Sequence, residues 1–104
     1  RTSTYIYDCV NTIANIIDNF KDGEVYNLSS NNRHSIEELV QLILHETNAD
    51  PSLVTYNKDH EILTTKHKIV DSSKARKDLN HEDTFSLREG IKETVAWMKK
   101  FYKI

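Results

Sequence analysis

The sequence predicts a small α/β domain, mainly helical with two short strands. Apolar residues recur at helical spacing in three separate stretches. Two short runs, Glu24–Leu28 and Leu53–Tyr56, are rich in β-branched and aromatic residues and read as strands. At 104 residues the chain fits one domain, and a domain of this size buries somewhat over ~60% of its unfolded surface.

The first helix is expected over Asp8–Phe20, where Val10, Ile13, Ile17 and Phe20 share a face and Asp8 can cap the leading N–H groups. Lys21-Asp22-Gly23 ends it, with Gly23 suited to a left-handed residue. The strand Glu24–Leu28 follows, then a polar loop from Ser29 to His34. Ser35-Ile36-Glu37-Glu38 matches a capping box: the Ser35 hydroxyl accepts from the Glu38 N–H while the Glu38 carboxylate reaches back. Ile36, Leu39, Val40, Ile43 and Leu44 line that helix, which stops near Glu46–Asn48, before the Asp50-Pro51 turn. After Leu53–Tyr56, the stretch Asn57–Lys68 is polar and without an evident element. Ser72 or Ser73 starts a short helix through Leu79. Thr84 or Ser86 starts the last one, striped by Leu87, Ile91, Val95, Met98 and Tyr102, with Trp97 and Phe101 as a second stripe.

Composition narrows the function. The net charge of -2 carries no bias toward nucleic acid or anionic lipid. The local cluster Lys66, Lys68, Lys74, Arg76 and Lys77 reads first as a solvated face. Cys9 is the sole cysteine, so no intrachain disulfide is possible; this fits a reducing, cytoplasmic setting. No apolar run is long enough to span a bilayer and no signal-peptide pattern occurs, so no membrane partner is expected. The chain opens at Arg1 without a methionine and is expected to be a segment of a longer protein. With two glycines and one proline, Asn, Asp and Ser carry most of the turns.

Several chemistries lack their residues. Gly23 and Gly90 are far apart, so neither dinucleotide-binding nor P-loop glycine spacing exists. A Tyr acid/base served by a Lys one helical turn on is also missing. Four residues beyond Tyr5, Tyr7, Tyr26 and Tyr56 stand Cys9, Asn11, Ser30 and His60, and Tyr102 has no partner. His34, His45, His60, His67 and His81 form no metal-ligand pair, and no metal site is expected. A Cys9–His nucleophilic pair is weak because Cys9 falls in a helical pattern and packs as a small hydrophobe. Anion binding remains. Arg1 precedes Tyr5-Ile6-Tyr7-Asp8, and Lys66-His67-Lys68 precedes Asp71. Arg grips phosphate with a bidentate fork and Lys with a point charge. By composition alone these are ordinary surface charges.

Five segments in order resemble a family. Arg1–Asp8 is similar to the Arg…Tyr-(Ile/Val)-x-Asp segment of the extended short-chain dehydrogenase/reductases that act on nucleotide sugars, the NAD-dependent epimerases, 4,6-dehydratases and decarboxylases. Gly23–Leu28 resembles their Gly-Glu-Val-Tyr-Asn-(Ile/Leu) strand, and Ser35–Leu39 the helix start after it. Asp71-Ser72-Ser73-Lys74-Ala75 with Leu79, and Ser86–Ile91 with Thr94, Val95 and Trp97, resemble the family's closing pattern. The resemblance implies that residues 1–104 are the C-terminal substrate-binding portion of such an enzyme. The Rossmann domain with the catalytic Tyr and Lys would then lie upstream. By itself the segment would hold no catalytic residue, bind no NAD(P) and be inert, while the intact enzyme, an isomerase or lyase, holds NAD(P) and forms a homodimer. Arg1 stands where several members place an Arg on the substrate diphosphate. The family's second Arg position is Glu61 here, leaving Lys66 and Lys68 as the nearest substitutes. The normally Gly-rich loop after Leu28 reads Ser29-Ser30-Asn31-Asn32, and Leu79–Asp83 lacks the customary Gly and Pro. The alternative from another class is a small independent interaction module without catalysis.

Overall fold

The computed structural model describes residues 1–57, 65 and 67–104. The order of elements is α1 (Ile6–Ala14), α2 (Ile16–Asn19), α3 (Ile36–Thr47), a 3-10 turn (Pro51–Leu53), α4 (Ser73–Leu79) and α5 (Leu87–Tyr102).

The long first helix of the sequence reading is two helices. Asn15 breaks it: its side-chain amide donates to the Leu79 carbonyl at 2.8 Å, and its own carbonyl accepts from the Asn19 side chain at 2.9 Å. A side chain tied to a distant segment and a side chain competing for the ladder both favour a kink. The helix also starts earlier than expected, with Tyr5 rather than Asp8 at the cap position. Gly23 ends the region at φ +74°, as its lack of a Cβ permits.

The two expected strands do not form. Among the described residues the only β pairing is an isolated antiparallel bridge between Thr2 and Arg33. Glu24–Leu28 has strand composition but no ladder neighbour among the described residues, and a strand exists only when a partner takes its N–H and C=O groups. Leu53 belongs instead to the 3-10 turn. Asp50 starts that turn by accepting from the Ser52 N–H at 2.8 Å, and Pro51 sits at the first helical position, where its missing N–H costs nothing. Most of the irregular stretch Asn57–Lys68 lies outside the described residues.

Both capping boxes form, at Ser35/Glu38 and Ser86/Glu89. Each glutamate is held below its usual value, first by the backbone N–H of its serine. Asp71 is lowered by the Ser73 N–H and Asp78 by Lys21. Folded values below unfolded ones mean stability that is fully present above the ordinary glutamate value of 4.5 and is lost as pH falls through the folded values. The thermal midpoint is therefore expected to fall steadily below about pH 4.5. Ser86→Ala should cost about 1 kcal/mol near neutral pH and flatten part of that acid limb, read by thermal scans against pH.

The molecule measures 50 × 37 × 19 Å, a slab too thin for a large core. Among the described residues only Ala75 and Leu79 are fully buried apolar side chains. α3 packs on α5, and the pair α1–α2 packs on α4. Gly90 lets α5 approach the N-terminal segment, since a Cβ there would meet Tyr5 Cδ2 at 3.2 Å. The apolar face of α1–α2 points outward: Ile6, Val10, Ile13, Ile17 and Phe20 are exposed, Ile17 to 83%. Its polar residues Asp8 and Thr12 point inward.

Candidate functional site

The site follows from where the N-terminal segment and the segment before α4 meet. Arg1 is pinned by its backbone: its amino group donates to the His34 carbonyl at 2.9 Å, and its carbonyl accepts from the His34 N–H at 3.0 Å. The Thr2–Arg33 bridge continues that pairing. The His34 ring is fixed on both sides. Its Nδ1–H donates to the Ser35 carbonyl at 3.0 Å, so Nε2 accepts from the Ser3 hydroxyl at 2.8 Å.

Arg1 and Lys68 line one cavity of about 310 Å³, with Thr2, Thr4, Ser29 and Val70 among its walls. Neither cation has an acidic partner among the described residues, and both are exposed. Two uncompensated cations converging on a polar hollow are suited to an anion with more than one charge. Of the three candidates, the structure brings Arg1 and Lys68 together; Lys66, like Glu61, lies outside the described residues. Two other basic residues of the cluster are used elsewhere. Lys74 pairs with Glu24 and lies 5.1 Å from the Tyr26 ring centroid, and Arg76 pairs with Asp83 at 3.1 Å. A second hollow, about 370 Å³ between the N-terminal segment, α3 and α5, is walled by Leu39, Ile43, Phe85, Ile91, Val95 and Met98 and carries no charge that could select an anion.

Behind the cavity lies a buried polar network that the sequence reading missed. The Asp8 carboxylate accepts from the backbone N–H groups of Thr84 and Phe85 at 3.2 and 3.3 Å. Thr12 Oγ1 sits 2.7 Å from the Asp8 carbonyl and 2.6 Å from His81 Nδ1. His81 Nε2 faces the Ser29 carbonyl at 3.1 Å; a carbonyl can only accept, so Nε2 carries a proton. Arg76 adds a bond to that carbonyl at 2.9 Å. Burial pushes the Asp83 carboxyl up, yet the Asn31 N–H and the Arg76 guanidinium outweigh it and hold it below the usual range. Asp8, Thr12 and His81 stand at ordinary helix and loop positions, and only their being polar on an inward face could have marked them.

Nucleophilic chemistry finds no support. Burial and the Asp8 carboxylate push the Cys9 thiol up, away from the reactive thiolate. Among the described residues no group of His, Cys, Asp and Glu could hold a metal ion. Among the described residues no helix is long and apolar enough to cross a membrane.

No family model matches the chain. It is 30% identical over 100 residues to a dTDP-glucose 4,6-dehydratase of Streptomyces griseus, covering 96% of this chain and 30% of that protein. It is 26% identical over 104 residues to a UDP-N-acetyl-alpha-D-glucosaminuronate decarboxylase of Bacillus cytotoxicus, covering 96% and 32% respectively. The fold matches a crystal structure of dTDP-glucose 4,6-dehydratase from Bacillus anthracis in complex with NAD, with TM-score 0.80, 22% identity, and coverage of 99% of this chain and 32% of that one. Over this length the chain is similar to enzymes that resemble the extended short-chain dehydrogenase/reductases. It spans about a third of the length of the relatives it matches. Its backbone follows that dehydratase over about a third of the dehydratase's length, and neither expected strand forms among the described residues.

Proposed function

We propose that this chain is the C-terminal substrate-binding portion of an NAD(P)-dependent nucleotide-sugar epimerase, dehydratase or decarboxylase. Arg1 and Lys68 grip the diphosphate of the substrate. The observation that carries this reading is the shared cavity, lined by two cations that have no acidic partner among the described residues. Both relatives are named for nucleotide-sugar substrates, which supports a diphosphate as the anion.

These residues do not fit NAD(P) itself. Its pyrophosphate needs closely spaced glycines, and the chain has only Gly23 and Gly90. The nicotinamide cofactor supplies reversible hydride transfer when bound to an upstream Rossmann domain, together with that domain's Tyr and Lys. By itself the chain binds the nucleotide diphosphate but turns nothing over. Titration of UDP or dTDP into the purified chain is expected to give salt-sensitive binding. No binding at low ionic strength, or epimerase or dehydratase turnover by this chain, overturns the reading.

In the intact protein the upstream domain rests on the outward apolar face of α1–α2 and beside Glu24–Leu28, whose Val25 is 79% exposed. Patches of this kind are rarely left bare on a monomer. The isolated chain is expected to self-associate or bind an apolar-surface dye, and Ile17→Glu should reduce both. A monomeric, dye-silent chain counts against this face as a domain contact.

A further inference from the structure

Arg1 and Lys68 are far apart in the sequence, and one buried turn bonds to both of the segments that carry them. Ser29 and Ser30 are both buried in that turn. The Ser30 N–H donates to Thr4 Oγ1 at 2.9 Å, on the segment that carries Arg1. The Ser29 hydroxyl donates to the Val70 carbonyl at 3.0 Å, on the segment that carries Lys68. The turn itself is held from behind. The Ser29 carbonyl accepts from Ser72 Oγ at 3.1 Å, Arg76 Nη2 at 2.9 Å and His81 Nε2 at 3.1 Å. Thr4, Ser29 and Val70 also line the cavity between the two cations.

We propose that Ser29 and Thr4 are the positioning residues of the anion site, setting the distance between the Arg1 and Lys68 side chains. The proposal rests on the diphosphate grip above and deepens it. The physical reason is preorganisation. Long cationic side chains on loose segments must be ordered when the ligand binds, and that cost is subtracted from affinity. A backbone already fixed by two side-chain bonds has less to lose. Without the Ser29 hydroxyl, the Val70 carbonyl loses its side-chain donor and the Lys68 segment is tied to the turn only further on, through Ser72. Without the Thr4 oxygen, the Ser30 N–H loses its acceptor and the Arg1 segment, still paired with His34, loses its tie to the turn. Spacing matters only to a ligand that touches both cations. Inorganic pyrophosphate can span them, whereas orthophosphate is satisfied by one.

The test is the ratio of pyrophosphate to orthophosphate affinity, measured by calorimetry at fixed low ionic strength. The unaltered chain is expected to prefer pyrophosphate. Ser29→Ala and Thr4→Val should each cut pyrophosphate affinity roughly tenfold, with orthophosphate affinity nearly unchanged. Thr4→Ser keeps the accepting oxygen and should restore the preference. Thermal midpoints are taken on every variant; if Ser29→Ala does not fold, the comparison of Thr4→Val with Thr4→Ser carries the test. A preference that survives in folded Ser29→Ala and Thr4→Val overturns the positioning role and leaves the diphosphate grip standing. Absence of pyrophosphate binding in the unaltered chain removes the grip itself, and this inference with it.

Discussion

Asp8→Ala is expected to lower the unfolding free energy by about 3 kcal/mol. Asp8 is buried, and its carboxylate accepts from the Thr84 and Phe85 N–H groups just before α5. Truncation removes two charge-assisted bonds and leaves two backbone donors with no replacement. The loss is large because leaving a polar group unpaired costs more than a made bond is worth net. For a small domain whose whole stability is only several kcal/mol, it separates folded from largely unfolded. Asp8→Asn keeps one accepting oxygen and should cost about half as much. Urea unfolding followed by circular dichroism reads both. A loss under about 1 kcal/mol for Asp8→Ala would mean that the approach to α5 is held by other contacts.

Arg1→Ala and Lys68→Ala are each expected to weaken UDP or dTDP binding about tenfold, and together about a hundredfold, with thermal midpoints unchanged. Stability is spared because neither side chain pairs with an acid among the described residues, and Arg1 is fixed by its backbone rather than its guanidinium. Arg1→Lys should recover only part of the loss, since an ammonium cannot reproduce the bidentate fork. Calorimetry at two salt concentrations gives the second signature: the double variant should lose most of the salt sensitivity. Wild-type affinity in the double variant would show that the nucleotide, if bound, sits elsewhere.

The local grammar of the chain was legible where it depends on nearest neighbours. Ser35 and Glu38 form the expected box, Gly23 takes the left-handed turn, and the closing helices begin at serines. These outcomes need only residues within one turn of each other. The strands failed for the opposite reason. A strand is a relation between two segments, and Glu24–Leu28 has the right residues but no neighbour. Asp8 was read as the cap of its own helix and instead holds the N–H groups ahead of another, a choice made only by packing. The break at Asn15 was hidden in the same way, because its cause is the Leu79 carbonyl on α4.

By itself the sequence determined most of the helical segments, the absence of a glycine cradle and of a Tyr-Lys pair, the basic candidates Arg1, Lys66 and Lys68, and the family resemblance that implied their role. Those are matters of residue identity and short spacing. Only the tertiary structure decided that Arg1 and Lys68 share one cavity, that Ser29 stands between them, and that α1 turns its polar side inward. Each of these joins residues far apart in the chain. Such contacts are selected by the burial and hydrogen-bond satisfaction of the whole fold, which no local pattern records.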